Sequence, residues 1–509
     1  MNWTGGYVSN IDYTFGYYRE LSPLFCNLIL LYNGYRAPII KNACELGIGN
    51  GISFLVNSVS SNVNWYGTDF NPSQISFVKD AAKNLNASLN VFDEDFATFC
   101  TRDDLPNFDF IGLHGIWSWI SDENRNVIID FLKSRLNVGG VLYISYNTMP
   151  GRSSMIPVRE LLLNHYETMS VPGAPVAEKI DQAINFVSDF FDAEPKFCSH
   201  HPHIVEHVKN LKTQSRAYLA HEYFNRDWKP MSFPEVASLL EQAKLTFAGS
   251  ANPLESMPNL SMSPDQEGIL SPINNLRFKE LLTDFVTNQG FRKDIWVKGA
   301  RTITDAERLE ALSNISITLV KARTQVAIKV ETPRGQAELN ASVYDLILDI
   351  LDSADEITIA DLIRKTSETL TSAQVIEAVF VLLGKADIAA VQDKSAQKGC
   401  VENTKLLNDY FCSLSKYKQE ATHVASAKIA GAYGLTRFEQ LFLVAIRDNF
   451  GSAEELAQFV WDIINKQDQK LIVEGTKLLT EEQNLSELQA MAKKFLEDKL
   501  PTLQRLNVI

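Results

Sequence analysis

Apolar and polar positions follow two alternating rhythms along the first third of the chain. From about residue 40, short β-branched runs alternate with longer stretches of helical periodicity, which is typical of βαβ units and a parallel sheet. The predicted strands are, in order, "NACEL", "VNWYGTDF", "SLNVFD", "FDFIGLHG" and "GVLYISYN". Helices are predicted between them at about residues 51–60, 72–85 and 122–136. The pattern therefore predicts an α/β fold with most of a doubly wound sheet.

The rhythm changes after Pro150, and the chain to residue 240 has helical patterns without a convincing strand. "KLTFAGSA" and "FRKDIWVKG" then predict two further strands, and we interpret the helices as an insertion in a sheet that these strands close at seven. The alternative is that the sheet domain ends near residue 150 and that these strands belong elsewhere. The predicted domains are an amino-terminal helical lid segment at 1–39, a Rossmann-like core at 40–154, the helical insertion at 155–240 and the closing strands at 241–304.

The remainder of the chain predicts two smaller units. "ISITLVKARTQVAIKVET" and "SVYDLILDILDSADEITIADLIRKT" are interpreted as helices, and the strand-like "ADIAAVQ" follows them. This order predicts a winged-helix-like module over residues 305–400. "AEELAQFVWDIINKQ" and "SELQAMAKKFLEDKL" repeat apolar positions at 3.6 spacing, so a helical carboxyl-terminal domain is predicted over 401–509.

Composition narrows the class of protein. A net charge of −14 argues against nucleic acid as the main partner, because phosphate contacts need clustered Lys and Arg. The amino terminus has no basic start followed by an apolar core, and the longest apolar stretches are about half a membrane span, so we expect a cytoplasmic protein without membrane insertion. Six cysteines without a CxxC pair indicate free thiols in a reducing compartment.

A glycine-rich turn follows the first strand, with Gly47, Gly49 and Gly51 at alternate positions behind Glu45. Such a turn brings backbone close to a ligand at the carboxyl ends of the strands. The spacing is ExGxGxG and not the dinucleotide GxGxxG, and the carboxylate would repel a pyrophosphate. The ammonium and sulfonium charges of S-adenosylmethionine suit it instead, so this cofactor is predicted.

Two further acids lie where a nucleoside cofactor needs them. Asp69 ends the second strand, where a carboxylate accepts hydrogen bonds from both ribose hydroxyls. Asp95 follows the third strand and is placed to accept from the adenine amino group, while Phe96 packs on the ring. The predicted cofactor-binding residues are Glu45, Gly47, Gly49, Asn50, Gly51, Asp69, Phe70, Asp95, Phe96, His114 and Tyr18.

Six segments resemble one known family: "YTFGYYRELSP", "CELGIGNG", "GTDFNPSQI", "FDFIGLHGIWSWIS", "GGVLYISYNTMPG" and "YLAHEYFN". They resemble the class I S-adenosylmethionine-dependent methyltransferases with a methyltransferase regulatory domain, whose characterised members include rickettsial outer-membrane-protein lysine methyltransferases. The family's turn often has Gln where this chain has Asn50. The resemblance implies a seven-stranded Rossmann-like sheet, S-adenosyl-L-methionine as cofactor with S-adenosyl-L-homocysteine as product, no metal, and a protein lysine as acceptor in a bacterial cell.

An aromatic pocket for the methyl acceptor is predicted at the carboxyl ends of strands four and five. In proteins that resemble this one, the amino-terminal segment next to this pocket folds over the cofactor as a lid. Trp117 and Trp119 fit core packing as well as a substrate wall. His114 has two candidate roles, as a general base or as a hydrogen-bonding partner of the cofactor, and we favour the second. The predicted catalytic residues are Tyr146, Asn147, His114 and Trp117, and the predicted substrate-binding residues are Tyr13, Tyr17, Trp119, His221 and Glu222.

A histidine-rich stretch, "CSHHPHIVEH", has a second interpretation. His203 and His207 stand four residues apart and could share a helical face as metal ligands, but nothing nearby completes a tetrahedral set. A solvated helix is the alternative that we favour, and no metal is predicted.

The function predicted from the sequence is transfer of methyl groups to lysine side chains of a protein, of outer-membrane-protein type. The alternative is a methyltransferase for a small molecule or a surface-glycan sugar. A third hypothesis is a binding protein that senses S-adenosylmethionine without turnover. The partner expected is a lysine-bearing protein, with no nucleic acid, and a homodimer is compatible with the sequence.

Overall fold

The computed structural model describes residues 4, 6–8, 11, 15–86, 88–171, 173–418 and 420–509. A mixed sheet of seven strands organises the first 300 residues, in the order β3-β2-β1-β4-β5-β7-β6. Strands β1 to β5 are parallel to one another, and β7 runs antiparallel to both β5 and β6. The strands are β1 (Asn42–Leu46), β2 (Asn64–Asp69), β3 (Asn90–Asp93), β4 (Phe108–Leu113), β5 (Leu136–Asn147), β6 (Leu245–Ser250) and β7 (Phe291–Lys298). This order confirms the predicted fold class.

Five helices accompany the parallel strands: α1 (Pro23–Tyr32), α2 (Ile52–Ser60), α3 (Pro72–Ala82), α4 (Phe96–Phe99) and α5 (Asp122–Arg135). Short 3₁₀ turns occupy Arg19–Leu21 and Trp117–Trp119. The start of α3 follows from its cap, because the Asn71 side chain accepts a hydrogen bond from the Ser73 N–H and Pro72 begins the helix. Ser121 caps α5 in the same way through the Asn124 N–H.

Helices fill the chain between β5 and β7, on both sides of β6. They are α6 (Met155–Thr168), α7 (Val176–Asp192), α8 (Lys196–His200), α9 (Pro202–Leu211), α10 (Arg216–Tyr223) and α11 (Phe233–Leu240), then α12 (Pro258–Ser261), α13 (Pro264–Leu270) and α14 (Leu276–Thr287), with 3₁₀ turns at Glu241–Ala243 and Pro253–Ser256.

The carboxyl-terminal region, residues 305–509, mixes helices with small antiparallel sheets. Its helices are α15 (Asp305–Ser313), α16 (Ala341–Ser353), α17 (Ile359–Thr366), α18 (Ser372–Gly384), α19 (Lys394–Leu414), α20 (Arg437–Arg447), α21 (Ala453–Asn465), α22 (Glu481–Lys494) and α23 (Leu500–Arg505), with a π turn at Phe495–Lys499 and a 3₁₀ turn at Arg323–Gln325. Its strands are β8 (Ser316–Leu319), β9 (Lys329–Thr332), β10 (Gly335–Glu338), β11 (Ile357–Thr358), β12 (Ile388–Val391), β13 (His423–Ser426), β14 (Gly431–Gly434), β15 (Ile472–Val473) and β16 (Thr476–Lys477).

The helical interpretation of residues 315–332 was wrong. This stretch forms β8 and β9, because its β-branched residues alternate and β8 pairs antiparallel with both β11 and β12. The winged-helix-like assignment of residues 305–400 stays a prediction.

Alternate residues of each central strand enter two different cores. Phe110 of β4 and Tyr143 of β5 belong to the core that includes α1 and α2, while Ile111 and Tyr146 belong to the core on the other face. The first of these cores continues into the carboxyl-terminal region through residues such as Phe380. The seven-stranded sheet and residues 305–425 therefore share buried apolar surface.

Within the part of the chain that the structure describes, no helix combines the length and the apolar character needed to cross a bilayer. All six cysteines are free thiols.

Candidate active site

The turn after β1 carries three glycines in left-handed conformations. Gly47, Gly49 and Gly51 have φ of 73°, 56° and 70°, values that side chains disfavour. A Cβ on Gly47 would lie 2.4 Å from Ile116 Cδ1. The Gly47 N–H donates to the Thr68 carbonyl oxygen at 2.9 Å, which ties the turn to the end of β2. The sequence therefore needs glycine here for conformation and for space.

Two buried carboxylates flank this turn. Asp69 accepts hydrogen bonds from the Gly49 N–H at 2.9 Å and the Asn71 N–H at 3.0 Å. Glu45 is 3% exposed, and its Oε2 has no hydrogen-bond partner among the described residues. Burial, with the charge of Asp69, raises the pKa of Glu45 to about 8, and burial raises the pKa of Asp69 to about 6. A cationic ligand would favour the ionised form of both groups.

His114, just beyond β4, is held between two tyrosines. Its ring stacks on Tyr18, with centroids 3.6 Å apart, and its Nδ1 lies 2.7 Å from the Tyr143 hydroxyl. The Gly115 N–H donates to Ser145 Oγ at 2.8 Å. We assign the imidazole proton to Nε2, with the Tyr143 hydroxyl donating to Nδ1. Burial lowers the pKa of His114 to about 4, which makes the ring neutral and a hydrogen-bond donor.

The edge of the site beyond β3 contains Asp95 and Phe96. Asp95 caps α4, accepting from the Thr98 N–H at 2.8 Å. The neighbouring Glu94 pairs with Arg102 at 2.6 Å. Gln74 on α3 is 6% exposed and also lines the site, a position that sequence analysis missed. Its place in the first turns of the helix after Asp69 is the signal that could have found it.

The wall opposite the sheet comes from α10 and the amino-terminal residues. The Val8 N–H donates to the Asn225 side chain at 2.9 Å, and the Arg226 N–H donates to the Gly6 carbonyl oxygen at 3.0 Å. The Tyr7 ring lies 5.2 Å from the His221 ring, centroid to centroid. The described amino-terminal residues thus lie across the site.

These walls enclose one cavity of about 280 Å³. Every residue predicted to bind the cofactor lines it: Glu45, Gly47, Gly49, Asn50, Gly51, Asp69, Phe70, Asp95, Phe96, His114 and Tyr18. Three of the residues predicted to bind substrate, Trp119, His221 and Glu222, line it too. Tyr13 lies outside the described residues.

Two residues predicted to be catalytic lie on the wrong face of the sheet. The Tyr146 hydroxyl donates to Asp294 at 2.7 Å inside a buried network with Arg292. Trp117 is fully buried in the same core as Tyr146. Because side chains alternate along a strand, Tyr143 and not Tyr146 faces His114, and the parity of β5 is the signal that was missed.

Two more predictions need correction. Asn147 is 3% exposed; its N–H donates to Ser118 Oγ, its carbonyl accepts from the Met231 N–H, and it lines a void of about 10 Å³ outside the cavity. Tyr17 points away from the site into a second cavity of about 350 Å³, against the carboxyl-terminal region. Its direction follows from the extended backbone at Tyr18, which sends neighbouring side chains to opposite sides.

The histidine side chains of the histidine-rich stretch contact different partners. His203 Nε2 lies 3.3 Å from Ser154 Oγ, and His207 Nε2 lies 3.0 Å from the Tyr223 hydroxyl. No group of three or more His, Cys, Asp or Glu side chains within the described ranges is placed to hold a metal ion.

The fold and the matched family define the class of protein. Residues 215–298 match the family described as "Predicted methyltransferase regulatory domain". The structure of PKMT2 from Rickettsia typhi in complex with AdoHcy shares the fold at a TM-score of 0.66 and 16% identity, covering 94% of this chain and 98% of that one. This is the fold of class I S-adenosylmethionine-dependent methyltransferases.

Comparison with relatives in sequence shows the family to which the chain belongs. An uncharacterised protein of Synechocystis sp. is 34% identical over 515 residues, covering all of both chains. An uncharacterised Rickettsia prowazekii protein is 26% identical over 285 residues, which is 54% of this chain and 49% of that protein. The chain belongs to the family of the Synechocystis protein.

Proposed function

We propose that this protein is an S-adenosylmethionine-dependent methyltransferase and that it transfers methyl groups to lysine side chains of a protein substrate. The observation that carries the proposal is the charge of the cavity. Among the described residues, its lining includes six carboxylates, Glu45, Asp69, Glu94, Asp95, Glu222 and Asp227, and one guanidinium, Arg226. Such a lining favours a cationic cofactor together with a cationic acceptor and disfavours phosphate-bearing ligands.

The cofactor end of the cavity fits S-adenosylmethionine. Because its glycines have no side chains, the turn leaves space open in the cofactor cavity. The negative charge of the buried Glu45 carboxylate would attract an ammonium group. Asp69 would hold the ribose hydroxyls, with Gln74 beside it, while Asp95 and Phe96 would hold the adenine. When bound, the cofactor supplies an activated methyl group. The protein's task is then to hold an amine in line with it and to exclude water.

A lysine acceptor must be neutral to react. From an unperturbed pKa of about 10.4, losing the proton costs about 4.6 kcal/mol at pH 7. Burial in an aromatic pocket lowers this cost. His114 does not take the proton, because its Nδ1 is occupied by Tyr143 and its pKa lies far below neutrality. Its Nε2–H is placed instead to donate a hydrogen bond in the cavity.

Glu222 is the residue that we assign to the acceptor. It lines the cavity from α10, opposite the sheet, and no hydrogen bond or salt bridge joins its carboxylate to another described residue. Burial raises its pKa, with a smaller opposing effect of Arg152. A carboxylate in this setting would attract the lysine ammonium, orient the amine and receive a proton. Trp119 supplies apolar surface on the same cavity.

The resemblance to outer-membrane-protein lysine methyltransferases favours a protein substrate of that type, met in the cytoplasm before export. The fold shared with Rickettsia typhi PKMT2 over nearly the whole chain supports this choice.

The test is transfer of labelled methyl groups from S-adenosylmethionine into fractionated lysate of the source cell, followed by acid hydrolysis. We expect methyl-lysine from a protein fraction with the parent enzyme. Glu222→Gln should lower kcat/KM for the acceptor at least tenfold and leave the Kd for S-adenosylhomocysteine unchanged. Label found only in glycan or small-molecule fractions would overturn the proposal.

A further inference from the structure

Residues 15–22, here called the strap, run between the cofactor cavity and the carboxyl-terminal region. Side chains of the strap contact both of these neighbours. Tyr18 and Glu20 face the catalytic domain, whereas Tyr17 and Arg19 contact residues beyond 380. The extended backbone at Tyr18, just before the 3₁₀ turn at Arg19–Leu21, sends the Tyr17 and Tyr18 side chains to opposite sides.

The contacts on the catalytic side reach the cofactor cavity directly. The Tyr18 ring stacks on His114, and the Tyr18 backbone N–H donates to Ser53 Oγ at 2.9 Å, in the first turn of the helix that follows the glycines. Glu20 is buried and pairs with Lys293 of β7 at 2.7 Å. The strap is thus one wall of the cavity.

The contacts on the other side are equally specific. The Arg19 guanidinium donates to the Leu383 carbonyl oxygen at 2.6 Å and the Gly384 carbonyl oxygen at 2.8 Å, both at the end of α18. The Tyr17 hydroxyl reaches the β13–β14 hairpin, where a Cβ on Gly431 would lie 2.7 Å away.

We propose that the carboxyl-terminal region positions the strap for cofactor binding, with Tyr17 and Arg19 as positioning residues that act through Tyr18 and His114. Neither Tyr17 nor Arg19 lines the cofactor cavity, so their effect must pass along the strap. Residues 305–509, which the methyl transfer itself does not need, would thus have the function of holding the strap in place. The inference rests on the assigned cofactor and not on the identity of the acceptor.

The hairpin offers a matched pair of substitutions. Gly431→Ala would press a methyl group on the Tyr17 hydroxyl, whereas Gly434→Ala on the same strand meets nothing closer than 3.8 Å. Neither glycine has a positive φ, so backbone strain does not separate the two variants. Tyr17→Phe removes the atom that the new methyl group meets, and it should rescue Gly431→Ala.

The experiment measures the Kd for S-adenosylhomocysteine by calorimetry and the His114 imidazole resonances by NMR, with circular dichroism as a check of folding. We expect Gly431→Ala to raise the Kd about five- to twentyfold and to shift the His114 signals, because the ring current of Tyr18 moves. Gly434→Ala should match the parent, and the Tyr17→Phe double variant should regain most of the affinity.

An unchanged Kd and unchanged His114 signals in folded Gly431→Ala would overturn the inference, as would equal losses in both glycine variants. The His114 signals report the strap position without any ligand. A failure of the cofactor assignment would therefore appear as a parent protein that does not bind S-adenosylhomocysteine, which is a different result.

Discussion

Tyr18 and His114 stack with their ring planes 22° apart, and the same imidazole contacts the Tyr143 hydroxyl through Nδ1. This pairing joins the strap to the end of β4 and holds His114 between two tyrosines, where burial lowers its pKa to about 4. The histidine is therefore a neutral donor and not a general base.

The protonation state of His114 can be measured. With its pKa lowered to about 4 by burial, His114 should stay neutral from pH 5.5 upward. NMR of protein with labelled histidine should show its Nε2-protonated tautomer throughout this range, with the signal assigned by its loss in His114→Gln. Unfolded chains bind this proton near the ordinary value of 6.5, so the residue should also lower stability as pH falls from 6.5 towards 4. A midpoint between pH 6 and 7 would refute the assignment.

Cofactor binding should release a proton. At pH 7 a carboxyl with a pKa of about 8 is about 90% protonated, and a cationic ammonium group beside Glu45 would ionise it. Calorimetric titration with S-adenosylhomocysteine in buffers of different ionisation enthalpy should give a release of about 0.5 to 1 proton.

Glu45→Gln is the control for this release. It should bind the ligand more weakly and release almost no proton. Its stability relative to the parent should also rise between about pH 4.5 and 8, because over that window the folded parent keeps a proton on Glu45 that the unfolded chain has lost, so the parent loses stability as the pH rises. Equal proton release in both proteins would show that another group titrates.

The glycine turn gives a prediction with an internal control. Gly47→Ala and Gly34→Ala both place alanine at a positive φ, 73° and 77°, at a cost of about 1–2 kcal/mol each. Only the first meets a neighbour, Ile116, and only the first lines the cavity. We expect at least a tenfold rise in the Kd for S-adenosylhomocysteine for Gly47→Ala and no change for Gly34→Ala. Similar affinities in the two variants would contradict the close approach of the turn to the ligand.

Tyr146 should matter for stability and not for binding. Tyr146→Phe removes the hydroxyl that donates to the buried Asp294, next to Arg292, and should lower the free energy of unfolding by about 1–3 kcal/mol. The Kd for S-adenosylhomocysteine should stay within twofold of the parent value. A loss of affinity without a loss of stability would show that Tyr146 is part of the active site.

The sequence predicted the sheet and the cofactor face of the site because both depend on local patterns. Strand periodicity marks β1 to β7, and the glycines with Glu45 and Asp69 are close along the chain. The acceptor face was predicted less well. Whether Tyr143 or Tyr146 points at His114 depends on the parity of a strand buried on both faces, where apolar residues give no alternation.

The strap could not be predicted from local patterns either. Its partners on one side, Leu383 and Gly384, lie more than 360 residues away in the sequence. Gln74 was missed for a different reason, since an amide near the start of an amphipathic helix looks like a surface residue until its burial is known.

The lysine assignment is the central claim, and the methylated proteome of the source cell tests it most directly. Mass spectrometry should compare cells that contain the gene with cells that lack it, and with cells that carry Gly47→Ala. We expect lysine peptides with one to three added methyl groups in a small set of proteins, lost on deletion, restored by the parent gene and not by Gly47→Ala. A lysine methylation pattern that is identical in all these cells would contradict the account.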